Sequence, residues 1–186
     1  MAQSCGKLSV RQALSYAIDR QSIIDGIVLG IGRPCTGPYA HVSWAYNPDA
    51  RKYDHDPERA RRMLAEAGWS DQNNDGILEK DGRTFRFTII TNQGNNERIR
   101  TAEIIQQNLK VVGVDANIRV MEWQAFLEQI DKRSFDAMIL GWSMSRDPDL
   151  YDIWHSSKTK KGEYNVIGYR NPEVDRLLVE GRRVFD

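Results

Sequence analysis

Apolar residues Val10, Ala13, Leu14, Ala17, Ile18, Ile24, Ile27 and Val28 recur at helical spacing. The pattern predicts one amphipathic helix from Val10 to about Leu29, ending near Gly30 or Gly32. A second helix opens at Asp56-Pro57-Glu58, which supplies an N-cap acid, a proline at the first helical position and an acid suited to the helix dipole. Ala60, Met63, Leu64 and Ala67 form its buried stripe, and Gly68 stops it. In "TFRFTIIT" the period changes from 3.6 to 2, with Phe85, Phe87 and Ile89 on one face of a strand.

The centre of the chain repeats this change of period. A helix from about Glu97 to Val112 turns Ile99, Ala102, Ile105 and Leu109 inward and stops at Gly113. "VDANIRVM" then alternates Val114, Ala116, Ile118 and Val120 as a second strand. A short helix aligns Trp123, Phe126, Leu127 and Ile130, and "FDAMILGW" reads as a buried third strand. Helices after Asp147-Pro148 and at Asn171-Pro172-Glu173 close the chain. Strand–helix–strand–helix–strand is the signature of an α/β domain with a central, mostly parallel sheet flanked by helices.

That architecture predicts where a ligand binds: outside the carboxyl ends of the strands, where loops and helix N-termini converge. Three segments qualify: "NQGNN" from Asn92 to Asn96, "MEW" from Met121 to Trp123, and "GWSMSRDPD" from Gly141 to Asp149. They offer aromatic walls and orienting polar groups, and the candidate ligand-binding residues are Asn92, Trp123, Trp142, Ser143, Ser145 and Asp147. Trp123 also fits the apolar stripe of its helix, and the amides of "NQGNN" also suit a helix cap. Asp147 and Asp149 are the only acids placed for a catalytic pair, although Asp147 before Pro148 also suits a helix start.

Two stretches stand outside the pattern. "GRPCTGPYAHVSWAYNP" carries three prolines and three aromatics and reads as a long ordered loop. "DQNNDGILEKDG" places Asp71, Asn73 and Asp75 at alternate positions before Gly76, like the start of a calcium loop, with Glu79 at position nine. Position twelve, which requires a bidentate Glu, is Gly82, and a strand follows instead of a helix. The expectation is an acidic turn, with a weak structural calcium ion as the alternative and otherwise no cofactor.

The 26 basic and 26 acidic residues cancel, leaving no net field for nucleic acid or an anionic membrane. No apolar run reaches the roughly 20 residues of a membrane-spanning helix. "MAQSCGKLS" lacks the apolar stretch of a signal peptide, and residues 1–9 are read as a boundary segment before a single lobe over 10–186. Cys5 and Cys35 are read as separate thiols. His41, His55 and His155 are scattered without metal-ligand spacing, and no nucleophile elbow or phosphate loop is present, so a binding protein is expected rather than an enzyme.

"VRQALSYAIDRQSII", "DPERARRMLAEAGW", "AEIIQQNLKVVGVDANIRVMEW" and "FDAMILGWSMSRDPDLYDIWHSS", in this order and with the acidic punctuation between them, resemble the family 5 extracytoplasmic solute-binding proteins. These are the dipeptide, oligopeptide and nickel receptors of ABC importers. The resemblance covers nearly everything from Val10 to Asp186. It implies a periplasmic-binding-protein-like (type II) lobe whose N-terminal partner lobe is absent, a polypeptide that continues past Asp186, and an extracytoplasmic location. It further implies delivery of solute to a permease, and aromatics at Trp123 and Trp142 bordering the pocket. Peptide-binding members carry an aspartate three residues after the second Trp, for the peptide's ammonium; here that position is Ser145, followed by Arg146. A serine supplies no anion for a desolvated ammonium. The expected ligand is therefore a peptide, if Asp147 replaces the missing acid, with an oligosaccharide or other small polar solute as the alternative.

Overall fold

The computed structural model describes residues 6–143 and 149–183. The first apolar stripe forms two helices instead of the single one predicted, α1 (Leu8–Ala17) and α2 (Arg20–Ile27). Ile18 and Asp19 are extended, and the Asp19 carboxylate accepts from the Ser22 N–H at 3.0 Å and from the Ser22 hydroxyl at 2.5 Å. An Asp followed three residues later by Ser is an N-cap signal, and here it outweighs the continuity of the stripe. The Asp19 N–H, freed from any helix, donates to Asn108 Oδ1 at 2.9 Å.

Helix α3 (Pro57–Glu66) is opened by Asp56, whose carboxylate accepts from the Arg59 N–H at 2.8 Å. Ala60 and Leu64 are its fully buried residues, packed on Val10, Ala13 and Ala17 of α1. The chain then makes a two-residue hairpin, β1 (Glu79–Lys80) against β2 (Arg83–Thr84). Its turn holds Asp81 and Gly82 at φ of 52° and 71°, the paired left-handed residues that Asp-Gly supplies to a type I′ turn.

Three parallel strands follow: β3 (Arg86–Asn92), β4 (Asp115–Met121) and β5 (Ala137–Met138), in the order β4-β3-β5. They are joined by α4 (Asn96–Val111) and α5 (Trp123–Asp131). Because strand residues alternate, Phe87 and Ile89 pack with Ala102 and Leu109 of α4, while Ile90 faces Phe126 and Ile130 of α5. The two crossover helices therefore cover opposite faces, as the predicted parallel sheet requires.

The third strand is shorter than predicted. Residues 135–140 are only half-buried, and the pairing of β5 is limited to Ile89 and Ile90, with Ile139 N–H to Ile90 C=O at 3.0 Å. An apolar run specifies a long central strand only when both edges are paired. Among the described residues β5 has β3 as its single neighbour. The four-residue α6 (Tyr151–Trp154) and α7 (Pro172–Gly181) complete the chain, α7 being capped by Asn171 as the Asn-Pro-Glu signal predicts.

Candidate functional site

The loop after β3, the end of β4 and the described start of the third segment, at Gly141, meet at the carboxyl edge of the sheet. The Gln93 N–H donates to the Met121 carbonyl at 2.7 Å, joining the loop after β3 to the end of β4. The Thr91 hydroxyl lies 3.4 Å from the Ile139 carbonyl, joining β3 to the segment that continues β5. Asn95 caps α4 by accepting from the Arg98 N–H at 2.9 Å, so the amide-rich loop does serve as a helix cap.

Arg98, in the first turn of α4, is the residue that sequence reasoning missed. Its guanidinium donates to Asn92 Oδ1 at 2.7 Å, and a Cβ on Gly141 would lie 3.5 Å from its second terminal nitrogen. One side chain thus reaches from the end of β3 to the segment after β5. Asn92 is buried and spends its amide inside the protein, accepting from Arg98 and donating to the Gln93 carbonyl at 2.9 Å. Among the described residues Arg98 has no carboxylate partner. The one available signal is positional: a helix dipole disfavours a cation in the first turn, so an arginine there calls for another reason.

The two tryptophans present open faces. Trp123 is 40% exposed and rests one side on Phe126, with ring centroids 5.9 Å apart. Trp142 is 47% exposed and meets the edge of Tyr164 at 5.4 Å. Tyr164 extends the aromatic surface from a segment that the strand pattern does not reach. Ser143 is exposed beside Trp142, whereas Ser145 and Asp147 lie outside the described residues. Half-open indoles at strand ends, with a braced guanidinium beside them, can stack on apolar or flat ligand groups and offer N–H donors to an oxygen.

Asp149 is committed elsewhere. It accepts from the Tyr151 N–H at 3.0 Å and from two nitrogens of Arg182 at 2.9 and 2.6 Å. The hydrogen bond from Arg182 holds its carboxyl below the ordinary value, against a smaller opposing effect of burial. An acid fixed as an ion pair suits a structural role better than proton transfer. His41 stacks on Tyr46, His55 lies 3.7 Å from Asp19, and His155 stacks on Tyr151, so the three histidines stay apart. The Cys35 thiol is free and exposed, while Cys5 lies outside the described residues.

The acidic stretch sits at the opposite edge of the sheet. The Leu78 N–H donates to the Gly113 carbonyl at 2.8 Å, just before β4 begins. Asp71 accepts from the Gly76 N–H at 3.0 Å, Asn73 from the Asp75 N–H at 2.9 Å, and Asp75 from the Ile77 N–H at 2.8 Å. Carboxylate oxygens of Asp71, Asp75 and Glu79 lie within 4.8 Å of one another, but side-chain oxygens of this stretch already satisfy loop N–H groups. This is the bonding of an Asx turn.

The chain is 44% identical over 181 residues to the oligopeptide-binding protein AppA of Bacillus subtilis (strain 168), covering 95% of this chain and 33% of the relative. It matches the structure of that protein in complex with a nonapeptide at a TM-score of 0.91 and 42% identity, over 99% of this chain and 37% of the other. NikZ from Campylobacter jejuni, solved in complex with Ni(L-His), matches at a TM-score of 0.89 and 28% identity, over 99% and 37% of the respective chains. The chain thus spans about a third of the length of the relatives it matches. No helix among the described residues is long and apolar enough to cross a membrane. Residues 4–164 match the model of the bacterial extracellular solute-binding proteins, family 5 Middle, and the chain belongs to that family.

Proposed function

We propose that the chain is one lobe of an ABC importer's solute receptor, and that its ligand is a peptide. The observation that carries this reading is the carboxyl-edge surface, where Trp123 and Trp142 flank the Asn92–Arg98 pair. The 44% identity to an oligopeptide-binding protein supports it. The indoles would stack on ligand side chains, and Arg98 would donate to backbone carbonyl or carboxylate oxygens. Ser143 would contribute a neutral hydroxyl. Asp147 would replace the anion that Ser145 cannot supply to an ammonium.

The mechanism is capture between two lobes. Ligand enters the open cleft, closure excludes water from it, and the closed form is recognised by the permease subunits outside the cytoplasm. This action needs no catalytic group and no resident cofactor. Fluorescence titration of the full-length protein with a defined peptide series tests the reading. Saturable quenching is expected, with Trp142→Ala weakening affinity by about tenfold or more, the cost of losing a buried aromatic anchor. Saturation by an oligosaccharide and by no peptide would favour the second ligand class.

A further inference from the structure

On the face of the sheet that α5 covers, Ile90 packs against Phe126 and Ile130. The parallel register puts Arg119 of β4 directly beside Ile90 and therefore on the same face. Beside the last turn of α5 the space between helix and sheet opens into a cavity of about 410 Å³, whose walls include Thr88, Arg119, Gln129, Arg133, Ser134 and Asp136. Small-molecule sites typically run from about 300 to 1,000 Å³. None of Asn92, Arg98, Trp123 and Trp142 lines it. Helix α5 starts at the carboxyl end of β4 and ends at Asp131, shortly before β5 begins, so this cavity belongs to the other end of the sheet from the tryptophans.

Its walls carry two arginines and one acid. Among the described residues neither Arg119 nor Arg133 has a carboxylate partner. The acid, Asp136, accepts from the Thr88 N–H at 3.2 Å, so part of its charge is engaged by the backbone. Two guanidiniums against one carboxylate leave the cavity net positive, and Gln129 and Ser134 add neutral donors. Arg133 is held firmly. Its φ is +52°, a left-handed backbone that a bulky residue keeps only where its surroundings impose it. One terminal nitrogen donates to the Asp131 carbonyl at 3.2 Å and the other to the Lys160 carbonyl at 2.9 Å. The remaining donor, Nε–H, is buried and has no acceptor among the described residues. A buried donor on a charged group is destabilising until an acceptor meets it, and an anionic oxygen is the acceptor best matched to a guanidinium. The carboxyl end of α5 by itself disfavours an anion, and the Arg133 bond to the Asp131 carbonyl offsets that effect.

We propose that this cavity binds a small oxoanion, a phosphate or a carboxylate, through Arg119 and Arg133, at a site separate from the solute surface. Both anions present oxygens that a guanidinium fork meets with charge-assisted hydrogen bonds, which a lysine's point charge does not reproduce. Arg119 supplies the free fork, since its side chain is exposed and unpaired. Arg133 supplies the fixed positive wall. The proposal stands independently of the peptide reading, because none of the residues assigned to the solute takes part.

Calorimetric titration of the full-length protein with inorganic phosphate and, separately, with acetate, at constant ionic strength, tests the proposal. Saturable binding of at least one of them is expected, with a matching rise in melting temperature; whichever saturates names the anion class. Arg119→Gln removes an exposed side chain that has no ion pair, so it should fold as wild type does and weaken that binding about tenfold. Arg133→Lys keeps the charge, loses the fork and should weaken it as well. Absence of saturation by both anions would overturn the proposal. So would saturation that Arg119→Gln leaves intact, which would put the anion elsewhere on the protein, or a melting temperature that climbs with anion concentration without reaching a plateau, which is a general salt effect.

Discussion

Replacing Arg98 by Met keeps the bulk of the side chain and removes the guanidinium that braces Asn92. Asn92 is buried, and its Oδ1 accepts from Arg98 at 2.7 Å. Stranding a buried amide oxygen costs about 1–3 kcal/mol. Taking a cation out of the first turn of α4 returns about 0.3–1 kcal/mol. The net expectation is a loss of about 1–2 kcal/mol, placed toward the low end because Arg98 is only half-buried. Urea unfolding of wild type, Arg98→Met, Asn92→Leu and the double variant forms the assay. If the two side chains act as a pair, Arg98→Met should cost almost nothing in the Asn92→Leu background, giving a coupling of about 1 kcal/mol or more. A single variant within about 0.3 kcal/mol of wild type, or additive costs, would refute the claim that Arg98 holds this edge of the sheet together.

Gly113→Ala should be more damaging, by about 2–4 kcal/mol in urea unfolding: φ is +79° and the new Cβ would lie 2.8 Å from Leu78 Cγ. Asp149→Asn should flatten the acid limb of the stability profile. A carboxyl held below its ordinary value contributes stability above the unfolded-state pKa and loses it as pH falls through the lower folded value, a window below about pH 4. Because the Asp149–Arg182 pair is more than a third exposed, added salt should shrink the effect. Millimolar calcium should leave the melting temperature unchanged; a rise that vanishes in Asp75→Ala would instead show that the acidic loop holds an ion.

Local chemistry made much of this fold legible. Asp56-Pro57, Asn95 and Asn171 mark helix starts by capping bonds that involve only neighbouring residues. The alternation in β3 likewise survives because both faces are covered by helices that follow in sequence. The misses arise where a short-range signal competes with a longer pattern. Asp19 capping Ser22 breaks a stripe that otherwise runs on, and Asp81-Gly82 makes a hairpin inside what reads as one acidic turn. Length was misjudged for β5, since pairing at its outer edge is not encoded in its own residues.

At the site, position was readable and role was not. Strand order places Asn92, Trp123 and Trp142 at one edge. Whether a given side chain faces a ligand or a neighbour depends on contacts such as that of Arg98 with Asn92, which no periodicity reports. The apolar exposure of Val42 and Trp44 was hidden for the same reason: a loop rich in aromatics reads alike whether it is buried or open.

Mass spectrometry of ligand released by denaturing the full-length protein as purified tests the peptide assignment most directly. The account predicts a population of peptides at close to one equivalent, depleted in Trp142→Ala prepared alongside. Recovery of an oligosaccharide or a metal chelate in their place would contradict it.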